Sequence, residues 1–334
     1  MSVDSKHLDY GEYRLKWDES RAAADGAVKK GGIRYLPKLS GHADANDPNY
    51  RAYLTRAHYY NATGRTIDAL HGMVFSKDPS IEWPEAQRQF LEDVNLRGCD
   101  LDEFAGKALR ELLTVGRYGV LVDHNGRPSD ANITQLQAEQ RNIRPKMVGY
   151  KAEDIINWRY ATVNGKYQLT LVVLSAWEQE PQSDGFSTKN VEVFRVLRLT
   201  ENVYTQQVYR RDGKEFNASE EFSPLIDGAT FNYIPFRLFP DETEVEEPPL
   251  LDLVQTNLAH YRTSADYEHA VHNMGMATIV LTGAKMEEGV AFPLGGFFGT
   301  DKADAEVKFL EFEGQGLQSI ENNLTRKENQ MASL

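Results

Sequence analysis

The stretch between residues 155 and 209 constrains the fold more than any other, because short β-branched runs follow one another there with no helical repeat between them. Runs at 155–161 and 167–177 are joined through Asn164-Gly165, a pair suited to the two-residue hairpin turn whose central positions both need a positive φ. Runs at 191–199 and 203–209 continue the series, and Asp212-Gly213 marks a further turn. Strands that succeed one another this closely pair as an antiparallel meander; a doubly wound sheet would need a helix between them. Upstream, Arg117-Tyr118-Gly119-Val120-Leu121-Val122-Asp123 is apolar and β-branched and leads into Asn125-Gly126, so it reads as a further, buried strand.

Helical spacing surrounds these runs. Leu101, Phe104, Ala105, Ala108, Leu109, Leu112 and Leu113 repeat at that spacing between Asp100, a good N-cap, and Gly116, a stop signal. A helical pattern also covers 50–75, with Gly64 as the expected interruption. The first ~50 residues, broken by Gly31-Gly32, Pro37 and Pro48, predict short helical pieces and a loop. After Pro248-Pro249, which can open a helix, Leu250, Leu251, Val254, Leu258, Tyr261 and Ala265 form one stripe of a helix expected to run to Asn273, with its last turns strongly polar. Strands at 278–281 and 307–312 then frame an apolar tip with Phe292, Phe297 and Phe298. The last segment carries Leu317, Ile320, Leu324, Met331 and Leu334 on one face. That face reaches the chain end with no cap, so the natural protein is expected to continue. The fold class expected is α+β.

Composition bounds the chemistry. The net charge of -13 disfavours tight DNA binding, and the single cysteine, Cys99, permits no internal disulfide. No stretch approaches the ~20 apolar residues of a membrane span. G-x-x-x-x-G-K-[ST], H-E-x-x-H and G-x-S-x-G are all missing. Gly314-Gln315-Gly316 imitates a dinucleotide loop but lacks the third glycine, so a strand-to-helix turn is the better reading. Asp266, His269 and His272 lie one helical turn apart, as metal ligands can. With no further ligand cluster in the sequence, a solvated or subunit-facing surface is favoured. The carboxylate run 241–247 lacks EF-hand spacing and reads as a solvated loop. Arg51, Arg56 and Arg65 with Tyr53, Tyr59 and Tyr60 mix bases and aromatics as nucleic-acid surfaces do, although ordinary packing is the simpler account. No catalytic, cofactor or metal residue is assigned, and the chain is not expected to be an enzyme.

Several segments carry a resemblance. RAHYYNAT at 56–63 with TIDALHGMVFSKDP at 66–79, LLTVGRYGVLVD at 112–123, IINWR at 155–159, PPLLDL at 248–253 and, above all, NLAHYRTSADYEHA at 257–270 resemble, in the same order, a tailed-bacteriophage portal family known as a domain of unknown function. The resemblance implies a portal-like α+β architecture: a wing of helices and antiparallel sheet at 1–248, a first stem helix at 249–273, a small α/β clip at 274–315, and the start of a second stem helix at 316–334. It implies a ring, expected to be dodecameric, that forms a channel for double-stranded DNA at the capsid vertex of the virion, made in the host bacterial cytoplasm. It further implies contacts with scaffold and major capsid protein and docking of the large terminase and a head-completion or adaptor protein. DNA is expected to bind without sequence preference, and no membrane is involved. Arg326 and Lys327 are the candidates for transient phosphate contacts in the channel. Phe292, Phe297 and Phe298 are the candidates for the clip interface, and Tyr261, Arg262, Asp266, His269 and His272 for the subunit interface. A head-to-tail adaptor ring, or a soluble enzyme with an unrecognised site, would be the alternatives.

Overall fold

The computed structural model describes residues 2–124, 134–226, 229–241, 243–274, 278–283, 306–310 and 315–334. Its helices are α1 (Leu8–Ala24), α2 (Pro48–Arg56), α3 (Ala62–Val74), α4 (Gln89–Glu92), α5 (Leu101–Val115), α6 (Gln135–Gln140), α7 (Leu251–Met274) and α8 (Gln315–Ser333). Its strands are β1 (Tyr118–His124), β2 (Pro145–Lys151), β3 (Ile155–Val163), β4 (Lys166–Pro181), β5 (Thr188–Thr200), β6 (Val203–Asp212), β7 (Glu215–Ala218), β8 (Leu225–Ile226), β9 (Ala229–Thr230), β10 (Phe236–Phe239), β11 (Thr278–Thr282) and β12 (Glu306–Leu310). The fold is α+β, and every described strand pairing is antiparallel.

The chain divides into two compact units, Met1–Asp25 with Thr63–Val254, and Gly26–Ala62 with Gln255–Leu334. The larger unit holds a meander in the order β3-β4-β5-β6-β7. Asn164 and Gly165 turn β3 into β4 with φ of 51° and 77°, as that hairpin requires. Glu201 and Asn202 do the same between β5 and β6. A second sheet has the order β10-β1-β2, with Tyr118 opposite Phe239 on one side and Lys151 on the other. The core lies on the meander and takes in Ile155, Val172, Leu197 and Tyr204, with Trp17 of α1 fully buried among them.

Capping explains where α5 starts and stops. The Asp100 side chain accepts from the Glu103 N–H at 2.7 Å, satisfying a first-turn donor. Gly116 ends the helix in the left-handed conformation at φ 77°, and a Cβ there would sit 3.2 Å from the Glu247 carbonyl oxygen, so glycine is required twice over. Arg21 of α1 reaches Glu111 of α5 at 2.7 Å and Glu153, just ahead of β3, at 2.6 Å, which ties helices and sheet by a largely buried ion network. The next residue after the cap, Arg117, is buried with its guanidinium 4.3 Å from the Trp158 ring.

Two expectations are corrected. The helical pattern over 50–75 breaks at 57–61, where Ala57 is extended, and Gly64 lies buried inside α3. The N-terminal region holds a 17-residue helix, α1, rather than short pieces alone. Its buried stripe consists of Tyr10, Trp17, Ser20, Ala23 and Ala24, too sparse to stand out against its charges. Among the described residues no helix is long and apolar enough to cross a membrane.

Candidate functional site

In the smaller unit, α7 from Gln255 onward and α8 carry the residues singled out from the sequence. Polar side chains on α7 are engaged locally. Asn257, fully buried, accepts from the Tyr59 hydroxyl at 2.8 Å and donates to the Tyr60 carbonyl oxygen at 2.8 Å. Arg262 donates through Nε to the Tyr35 carbonyl oxygen at 3.0 Å. Asp266 accepts a 2.6 Å hydrogen bond from the Tyr53 hydroxyl, and burial together with that carboxylate pushes the phenol far up. His269 stands edge-on to Tyr53 at 5.3 Å, with Nδ1 3.2 Å from Arg56 Nη2 and Nε2 3.0 Å from Asn273 Nδ2. A donating guanidinium at Nδ1 requires the neutral ring with its proton on Nε2, so the Asn273 amide must turn its oxygen to that proton. Burial, then Arg56, His42 and His272, hold His269 below the ordinary imidazole value.

Tyr261 corrects an expectation. Its ring is fully buried inside its own unit, edge-on to Tyr59 at 5.8 Å, so it is not available to a neighbouring subunit. Burial pushes its hydroxyl up to about 12. His272 and Arg262 stay exposed. Asp266, His269 and His272 do not form a metal-holding group, and none of three or more His, Cys, Asp or Glu occurs among the described residues.

On α8 the neighbours Arg326 and Lys327 part company. Lys327 is half-buried and donates to the Ala259 carbonyl oxygen at 3.2 Å and to Thr263 Oγ1, and burial lowers its pKa. Its ammonium is thus turned onto α7, which corrects its assignment as a phosphate contact. Arg326 is exposed. The next residue, Glu328, meets the buried His260 with Oε1 3.3 Å from Nε2. The remaining face of α8 is rich in neutral polar groups, among them Gln318, Ser319, Asn322, Thr325 and Asn329, all exposed. Between the helices, β11 pairs with β12 from Thr278 opposite Leu310 to Thr282 opposite Glu306. Phe292, Phe297 and Phe298 lie outside the described residues.

The segment made of α7, β11, β12 and α8 is also where a known family enters. The sequence profile of Domain of unknown function (DUF4055) matches residues 249–334. Among solved structures, a chain from one titled "Virion of native gene transfer agent (GTA) particle" is similar at 10% identity, over 92% of this chain and 72% of that one, with a TM-score of 0.38. At that TM-score the match does not establish a shared fold. No curated protein matches this chain.

Proposed function

We propose that the chain is a subunit of a phage portal, a ring at the capsid vertex of the virion through which double-stranded DNA is packaged and ejected. The observation that carries the reading is the coincidence of the DUF4055 match with α7, the β11–β12 pair and α8, the same stretch whose sequence most resembles a portal stem and clip. The exposed face of α8 supports it chemically. A row of amides and hydroxyls with Arg326 can touch phosphates briefly without holding them, and the net charge of -13 opposes tight adhesion. In this reading the ring is passive, and a separate terminase supplies the work. Scaffold, major capsid and head-completion proteins are its other partners, and twelve subunits the expected number.

Light scattering and electron microscopy of the intact protein, purified alone and with its scaffold protein, test the assignment. Rings with a central channel are expected. A protein that stays monomeric at every concentration, with and without scaffold, refutes it. ATP turnover by homogeneous protein, abolished by a substitution within this chain, would point instead to an enzyme.

A further inference from the structure

Cavities in the larger unit differ in what their polar groups are already doing. In the cleft beside Asp4, Glu192 and Arg211 the ions hold one another, with Arg211 3.1 Å from Asp4 and 2.6 Å from Glu192. The apolar cleft walled by Val122, Met147, Leu225 and Phe239 contains an acid, Asp123, that Arg195 occupies at 2.6 Å.

The cavity of about 590 Å³ lined by the β3–β4 and β5–β6 turns is built differently. Because the sheet is antiparallel, its β3–β4 and β5–β6 turns fall at one end, which brings Asn164 and Asn202 to the same rim. Gln168 and Asn232 add further amides, and Tyr167 and Tyr233 add phenols. None of these side chains has a hydrogen-bond partner among the described residues. Tyr167 stacks on Tyr160, with centroids 5.5 Å apart and planes 20° apart, yet remains 63% exposed. It is a supported aromatic platform with open surface. Arg237 and Asp241, paired at 2.8 Å, and Lys166 complete the charged lining.

This lining selects a ligand class. An apolar ligand would leave a ring of amides and phenols without water or partners, at a cost for each group. A strongly anionic ligand would find little beyond Lys166, since Arg237 is already compensated by Asp241. A neutral polyhydroxylated ring meets every requirement at once. Its hydroxyls donate and accept, as the amides do, and its C–H face can lie on Tyr167. The volume falls within the usual range for small-ligand sites. We propose that this cavity is a saccharide site that takes a short neutral oligosaccharide. It stands independently of ring assembly.

The test is calorimetric and NMR titration of the 334-residue chain with maltohexaose, chitohexaose and xylohexaose, and with a single-stranded oligothymidylate as a competing chemistry. Saturable binding of at least one sugar, with Kd at or below about 1 mM, is expected. Tyr167→Ala and Asn232→Ala should each weaken it by about tenfold or more. Both positions are exposed, so circular dichroism and Tm should remain those of the wild type. Absence of saturable binding by all three sugars, binding that both variants leave unchanged, or tighter binding of the oligothymidylate at the same residues overturns the proposal.

Discussion

Replacing Arg21 with Met tests the ion network that joins α1 and α5 to the segment ahead of β3. Arg21, Glu111 and Glu153 are 22%, 15% and 11% exposed. Burial pushes the Glu153 carboxyl up, but the Arg21 guanidinium outweighs it, so the group titrates below its ordinary value of 4.5. Methionine keeps much of the packing and leaves a buried carboxylate without its counter-charge, a change worth about 3–5 kcal/mol where the pair is fully buried. Partial exposure, and the Lys151 ammonium 3.4 Å from Glu111, bring the expected loss down to about 2–3 kcal/mol. At about 2–4 °C per kcal/mol for a unit of this size, Tm should fall by about 4–12 °C near pH 7.

The sign of the pH dependence separates this mechanism from lost packing. In the wild type Glu153 titrates lower when folded, so its stabilisation is full above pH 4.5 and is lost as pH falls through the folded value. In Arg21→Met burial, the largest influence on Glu153, is opposed only by a backbone hydrogen bond and the more distant Arg14 charge, and the folded pKa is expected to rise above 4.5. The penalty is then full at neutral pH and is relieved as pH falls through that raised value toward 4.5. Thermal unfolding followed by near-UV circular dichroism should show a larger deficit at neutral pH than near pH 4.5, and Glu153→Gln in the same background should recover much of it. An equal deficit at both pH values, or no recovery in the double variant, refutes the reasoning.

Gly116→Ala should cost about 1–2 kcal/mol, because the residue is left-handed and its Cβ would crowd the Glu247 carbonyl; an unchanged Tm contradicts this. The folded pKa of His269 is depressed by burial, Arg56, His42 and His272 against the opposing Asp266, so the packing of α2 on α7 should be firm above pH 6.5 and loosen as pH falls below it. Amide exchange across α2 reads the change, and His269→Gln, which still offers an acceptor to Arg56, should flatten it. Lys327→Met should cost about 1 kcal/mol through its lost bonds to Ala259 and Thr263, with little effect on DNA affinity. Arg326→Ala should do the reverse, leaving Tm alone and lowering the salt slope of DNA binding by about one; exchange of the two phenotypes would refute the assignment of faces.

How far the sequence was legible depended on how local each signal is. α5 was readable because its cap, stripe and stop are all contiguous, and the meander because its turns demand particular residues. The three-stranded sheet was not, since β1 pairs with β10 across most of the intervening chain and no local pattern announces that partner. Nor was the cover over α7: the hydroxyl that binds Asp266 belongs to Tyr53, 213 residues away in sequence. Two site residues, in contrast, were legible from periodicity alone. Tyr261 continues the apolar stripe of Val254, Leu258 and Ala265, which by itself points it inward, whatever the charge of the residues beside it. Lys327 falls between Ile320, Leu324 and Met331 at the same helical spacing, on the face that packs, and its long stem lets an ammonium sit there while bonding the neighbouring helix. Adjacent helical positions point about 100° apart, so Arg326 and Lys327 cannot both serve an outward face. That geometry leaves Arg326 as the exposed cation of the candidate pair, and in the proposed portal ring one such charge per subunit would give the weak, salt-sensitive contact that lets DNA slide.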